Sequence, residues 1–145
     1  MTIKLDVRNK AFERQLQKYL KVSTKTGTKE IRTVALDALK GVMRKSPVDN
    51  GTFKGNWNVG LDHINMSVDA DYQSESKLGS YNAEKYAEGN SVIGSFKAGQ
   101  SINISNALPY ANRLEFESHS PQSTGMVRRT LSEMTIAIKK KLKKV

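Results

Sequence analysis

The spacing of apolar residues predicts an amphipathic helix that ends before a proline-containing turn. Apolar side chains recur in steps of three and one between residues 31 and 43, which places them on one face of a helix. Thr28 is a candidate N-cap. Because Pro47 disfavours helical geometry at Ser46, we expect the helix to stop near Lys45. The apolar face consists of Ile31, Val34, Ala35, Ala38, Leu39, Val42 and Met43.

A shorter helix is predicted before this one. Phe12, Leu16, Tyr19 and Leu20 share one face at helical spacing, and Asn9 can cap the first turn. The polar, glycine-containing stretch 21–28 separates the two helices.

Alternation of apolar and polar residues predicts strands in the middle of the chain. The alternation runs through 57–61 and again through 64–70, a period of two that is typical of half-buried strands. We expect these segments to form a hairpin about Asp62-His63. A third alternating segment, 101–105, predicts a strand that ends at a turn containing Pro109.

The stretch 73–100 lacks a regular pattern and is rich in Ser, Gly, Asn and charged residues. A loop of this length is uncommon in a compact domain unless it is functional or ordered by a partner. We therefore interpret 73–100 as a polar excursion that becomes ordered in an assembly, with a short helix at 83–88.

The last third of the chain predicts two more helices. Residues 110–116 are expected to form a short one, with Tyr110 and Leu114 facing the core and Ala111 as a further candidate for this face. The polar stretch 118–124 should be an exposed loop, from which Thr124 caps a final helix. The apolar face of that helix consists of Val127, Leu131, Met134 and Ile138.

These elements predict a single domain, 1–145, of the α+β class. We expect a small antiparallel β-sheet of three to four strands, flanked by N-terminal and C-terminal amphipathic helices.

The charge balance permits a polyanionic partner. The chain has 145 residues, 24 Lys+Arg against 14 Asp+Glu, and a formal net charge of +10, which attracts nucleic acid. The basic C-terminal end, 139–145, is lysine-rich, but lysines there also complement the negative end of a helix dipole. Both interpretations stay open.

The sequence has neither an apolar signal-peptide core nor an apolar run near the roughly 18 residues of a membrane span. We expect a protein that has no membrane contact and is soluble in the cytoplasm where it is made.

Candidate chemistry is sparse. The chain has no cysteine, which excludes disulfides and thiolate chemistry. His63 and His119 lack the spacing of a helical metal site, and Ser118-His119-Ser120 has no nucleophile elbow. No glycine-rich nucleotide loop occurs. We therefore expect no catalytic residue, no metal and no cofactor, and keep a small hydrolase acting through His119 only as an alternative.

Three pieces of the sequence together resemble a known family. They are Ser46-Pro47-Val48-Asp49-Asn50-Gly51 followed by Phe53-Lys54-Gly55-Asn56-Trp57, then Asn106 with Pro109-Tyr110-Ala111 and Glu115, then Gly125-Met126-Val127-Arg128. In this order and spacing they resemble the phage tail-component family, which includes tail completion (neck) proteins and the lambda minor tail protein Z group.

The resemblance implies a structural virion protein that is not an enzyme. Such a protein would form a homo-oligomeric ring, expected to be a hexamer, that joins the tail to the DNA-filled head. Its partners would be copies of itself, the neighbouring head-tail connector, and the tail tube or terminator proteins. It would be located in the tail or neck of the virion, after assembly in the host cytoplasm.

The resemblance also suggests roles for particular residues. Passing genomic DNA would meet basic side chains in the lumen of the ring, for which the candidates are Arg128, Arg129, Lys139, Lys140 and Lys141. The turn residues would end a helix and redirect the chain; they are Pro47, Asp49, Gly51, Pro109 and Tyr110. The alternatives are a free-standing basic nucleic-acid-binding protein and a minor tail or tail assembly component away from the neck.

Overall fold

The computed structural model describes residues 9–22, 27–47, 51–75, 77, 79–117 and 125–144. Its helices are α1 (Lys10–Val22), α2 (Gly27–Arg44), α3 (Ala83–Gly94), α4 (Ala111–Phe116) and α5 (Met126–Lys143), and its strands are β1 (Trp57–Leu61) and β2 (Ile102–Asn106). A 3-10 turn at Lys54–Asn56 precedes β1. The fold is α+β, as the sequence predicts.

The sheet of the described residues has two strands, so the predicted number of three to four is not confirmed. β1 and β2 pair antiparallel, with Trp57 opposite Asn106 and Leu61 opposite Ile102. These are the first and third of the strands predicted from alternation. The second, 64–70, is not a strand.

Residues 62–75, which we call the strap, replace that second strand. The chain turns back after β1 as expected, but side chains of the sheet and of the preceding 3-10 turn bridge to the strap where a hairpin would have backbone pairs. Asn58 Nδ2 donates to the Ser67 carbonyl at 2.8 Å, and Asn56 Nδ2 donates to the Asp69 carbonyl at 2.9 Å. Ser105 of β2 also donates to the strap, through its hydroxyl. Because these donors are side chains, the strap lies against the sheet without forming a backbone ladder with it.

Helix α3 corrects the interpretation of 73–100 as a polar excursion. It extends to Gly94, beyond the predicted 83–88, and packs against α2 and β1. Gly89, Ile93 and the following Phe96 are buried. The second half of the stretch therefore belongs to the core, although its few apolar residues gave little helical periodicity.

The core lies between α2, β1, α3 and the start of α5. Leu39 and Met43 of α2 are fully buried in it, as the helical spacing predicts. The other buried members are Ala35, Val42, Phe53, Trp57, Val59, Ile93, Leu108, Ala111 and Met126.

The predicted helix caps have different outcomes. Asn9 caps α1, because its side chain accepts a hydrogen bond from the Phe12 amide at 2.9 Å. The prediction for Thr28 is wrong, since α2 already begins at Gly27. Thr124 lies outside the described residues, and Gly125 occupies the N-cap position of α5.

Tyr110 faces the core only in part. It sits at the N-cap of α4 with 40% of its surface exposed, whereas Ala111 is buried, as the sequence predicts. Three further predicted features, Asp49, the 118–124 loop and the His119 site within it, lie outside the described residues.

Candidate functional site: a buried junction of the three motifs

The first motif joins the end of α2 to β1. Ser46, fully buried, donates its hydroxyl hydrogen to the Val42 carbonyl at 2.7 Å and accepts from Trp57 Nε1 at 2.8 Å. A serine at this position can satisfy both the last turn of the helix and the indole N–H. The tryptophan is thereby fixed in the core, as its alternation with Val59 predicts.

Gly51 allows the chain to pass close to Ser74 of the strap. It has a φ of 79°, which L-residues with a side chain rarely adopt, and a Cβ there would lie 2.6 Å from the Ser74 carbonyl oxygen. This glycine is a turn residue, as predicted, and it is also a close-approach site. Pro47 follows the buried Ser46 directly after α2.

Lys54 is a buried cation inside the first motif. Only 1% of its surface is exposed, and its Nζ donates to the carbonyls of Lys77 and Ser80 at 2.9 and 2.8 Å. Burial lowers the pKa of the Lys54 ammonium, because removal from water disfavours the charged form. The side chain ties the 3-10 turn to the segment that leads into α3.

The second motif attaches to the first through Asn106 and an aromatic contact. Asn106 Nδ2 donates to the Phe53 carbonyl at 2.9 Å, and its Oδ1 accepts from the Leu108 amide at 3.2 Å. The Phe53 ring lies edge-on to Trp57, with centroids 5.7 Å apart, and 5.8 Å from the Tyr110 ring. Motifs separated by about fifty residues in the sequence are therefore in direct contact.

The third motif attaches to the second through Glu115. This carboxylate is fully buried and accepts from the Val127 and Arg128 amides at 2.8 and 3.2 Å, and from Arg128 Nε at 2.9 Å. The Gly125 amide donates to the Glu115 carbonyl at 2.8 Å. A buried anion thus caps the N-terminus of α5, where the helix dipole favours negative charge.

The five predicted DNA contacts are not brought together. Arg128 pairs with Glu115, and its guanidinium lies 4.4 Å from the Phe116 ring centroid. Lys139 and Lys140 are exposed about three turns further along α5, at an axial rise of about 17–18 Å from Arg128 for 1.5 Å per residue. Lys141 lies 5.7 Å from the Tyr19 ring of α1, and Arg129 is half-buried.

Sequence reasoning missed the role of Lys54 and the acidic character of the strap. A lysine between apolar residues gives no signal of burial, because most lysines are exposed. The strap was detectable, since 62–75 contains four carboxylates and no lysine or arginine.

Within the described residues, no group of three or more His, Asp or Glu side chains could hold a metal ion. No helix in the described part of the chain is long and apolar enough to cross a membrane. The protein is an α+β domain in which the buried polar side chains of the junction hold distant segments of the chain in contact. Searches against family models, curated proteins and solved structures gave no match.

Proposed function

We propose that this chain is a structural virion protein of a tailed bacteriophage, a tail completion or neck protein that joins the tail to the DNA-filled head. It acts as a homo-oligomeric ring whose further partners are the head-tail connector and the tail tube or terminator proteins. The observation that supports this most is the convergence of the three resembling motifs on one buried junction.

The chemistry of the junction favours a structural role. Its polar side chains, Ser46, Asn106 and Glu115, each satisfy backbone amides, backbone carbonyls or the Trp57 indole. Buried groups used in this way set the angles between elements. A subunit of a closed ring needs such fixed angles, because a small error repeated at each interface prevents closure.

Electron microscopy of phage particles tests the proposal. The gene for this chain alone is disrupted, and the intact protein is supplied in trans as the control. Separate DNA-filled heads and finished tails support a joining role. Joined, infectious virions would reject it, and missing or shortened tails would favour the tail assembly alternative.

A nucleic-acid-binding protein is the second candidate, because the exposed Lys139, Lys140, Lys143 and Lys144 form no ion pair within the described residues. This candidate predicts that the isolated subunit binds duplex DNA with a steep salt dependence. Fluorescence anisotropy with labelled DNA measures this for the wild type and K139E/K140E. K10E/K18E on α1 makes the same charge change elsewhere and should leave DNA binding less affected.

A further inference from the structure

The strap is an acidic surface on a strongly basic protein. Its four carboxylates, Asp62, Asp69, Asp71 and Glu75, are all exposed, and no lysine or arginine lies among them in the sequence. The chain as a whole has a formal net charge of +10. This separation of charge gives the molecule one surface that attracts the basic remainder of another copy.

The strap also exposes apolar side chains and open backbone groups. Met66 and Val68 are 37% and 43% exposed. Within the described part of the chain, no hydrogen bond engages the backbone of Ile64, Met66 or Val68. Alternate residues of an extended segment direct their backbone groups to opposite sides. The carbonyls of Asn65, Ser67 and Asp69 accept bonds from β2, β1 and the 3-10 turn, so this alternation places the backbone groups of the intervening residues on the opposite side.

Helix α5 carries a surface of opposite charge that also exposes an apolar side chain. Ile136 is 56% exposed, and Lys139, Lys140 and Lys143 are exposed beside it. These four positions follow the i, i+3, i+4, i+7 spacing of a single helix face. No acidic residue follows Glu133 in the sequence. We call this the α5 lysine face.

We propose that copies of this chain associate head to tail, with the strap of one copy docked on the α5 lysine face of the next. In this contact Met66 and Val68 of one copy lie against Ile136 of the next, and the carboxylates of the strap lie near the lysine ammonium groups of α5. The open carbonyls of Met66 and Val68 can accept from lysines, as the carbonyls of Lys77 and Ser80 accept from Lys54.

The two surfaces belong to different parts of the molecule. α5 packs against α1, α2 and α4, whereas the strap is attached to β1 and β2. The contact is therefore heterologous, the type that closes into a ring when the rotation between copies permits. This inference rests on the proposed ring, whose neighbouring copies it supplies with an interface.

Cysteine cross-linking tests the contact directly, because the chain has no cysteine of its own. Val68→Cys and Ile136→Cys proteins are purified separately, mixed, and treated with a short bismaleimide. We expect a cross-linked heterodimer, and a ladder ending at the size of the ring when both substitutions are in one chain. The matched control mixes Val68→Cys with Ala11→Cys, an exposed position on α1, and should give background only.

Charge reversal provides a second readout by sedimentation velocity. D69K/D71K and K139E/K140E should each weaken self-association about tenfold or more, because like charges then oppose each other. A mixture of the two variants should associate again. K10E/K18E, with the same change of charge on α1, should associate as the wild type does.

Several results would overturn the proposal. Oligomers that persist without a cross-link between positions 68 and 136 exclude this interface but leave the ring standing. Cross-linked dimers from either single variant alone indicate a symmetric contact instead. If K139E/K140E removes DNA binding and leaves association intact, the lysines contact DNA and not the strap. A chain that does not self-associate even in phage particles overturns both the interface and the ring.

Discussion

The Glu115 side chain connects α4 to the third motif, at the start of α5. Its fully buried carboxylate accepts hydrogen bonds from two backbone amides of α5 and from the Arg128 side chain, which is itself about half exposed. Charge-assisted bonds of this kind are stronger than neutral ones. Loss of the carboxylate leaves buried donors without an acceptor, which lowers the free energy of unfolding more than loss of a solvent-exposed bond does.

We therefore predict that Glu115→Ala lowers the free energy of unfolding by about 1–3 kcal/mol, the cost of leaving a buried hydrogen-bond donor without its acceptor. Glu115→Gln should cost less, because an amide oxygen still accepts one bond. Urea unfolding followed by circular dichroism measures both. Glu117→Gln, two residues away and exposed, should stay within about 0.5 kcal/mol of the wild type. Similar losses for Glu115→Gln and Glu117→Gln would contradict the assigned role.

Lys54 makes a prediction about pH. Its pKa in the folded protein is lowered by burial, so between that value and 10.5 the unfolded chain binds more protons than the folded one. Stability contributed by Lys54 must then rise as the pH increases through this window. A neutral amine retains two N–H donors, enough for the Lys77 and Ser80 carbonyls that it meets.

The measurement compares the free energy of unfolding of wild type and Lys54→Met from pH 7 to pH 10.5. We expect the wild type to gain relative to the variant as the pH rises. Lys97→Met, at an exposed position, corrects for the loss of one lysine in general. A difference that is constant or decreases with pH would show that burial does not lower the pKa of Lys54.

At the scale of elements, dense periodicity was informative and sparse periodicity was not. The predicted face of α2 and the strands β1 and β2 are confirmed because their apolar residues recur at almost every position that the period allows. The prediction of a strand at 64–70 was wrong because the sequence does not distinguish Asn56 and Asn58 from ordinary outward-facing polar residues. Only the structure shows that their amides contact the strap.

The junction was predictable only in part. The three motifs were singled out by resemblance, but nothing local shows that Glu115 is buried while Glu117 is exposed. Contacts such as Asn106 with Phe53 depend on the pairing of β1 with β2. Such pairing is a tertiary property that short motifs do not encode.

Two glycines of α3 allow the close packing of this helix on α2 to be tested. A Cβ at Gly89 would lie 2.5 Å from Leu39 Cδ2, whereas nothing lies within 4 Å of one at Gly94. Gly89→Ala should lower the free energy of unfolding by about 1–3 kcal/mol, since overpacking exceeds the gain in helix propensity. Gly94→Ala should be neutral or slightly stabilising. Thermal unfolding compares them, and a stabilised Gly89→Ala would show that α3 packs less closely on α2.

At the scale of the whole molecule, the acidic strap leads into a segment that the sequence suggested would be ordered by assembly. Gln73, Glu75, Lys77 and Gly79 are exposed, and Lys54 anchors the segment from below through two carbonyls. A neighbouring copy docked on the strap would cover this region. Proteolysis after Lys77 should then depend on assembly, because the exposed Lys77 is accessible to a protease in the free subunit and would be covered by the neighbouring copy.

Limited trypsin digestion of free subunits and of assembled particles measures this dependence. We expect cleavage after Lys77 in the free subunit and protection in the particle. Lys97, exposed between α3 and β2, provides an internal reference that is more than twenty residues from the end of the strap. Equal cleavage after Lys77 in both samples would mean that assembly leaves this region uncovered. The accessibility of the segment that joins the strap to α3 would then be the same in the free subunit and in the particle. The contacts between subunits would lie on another face.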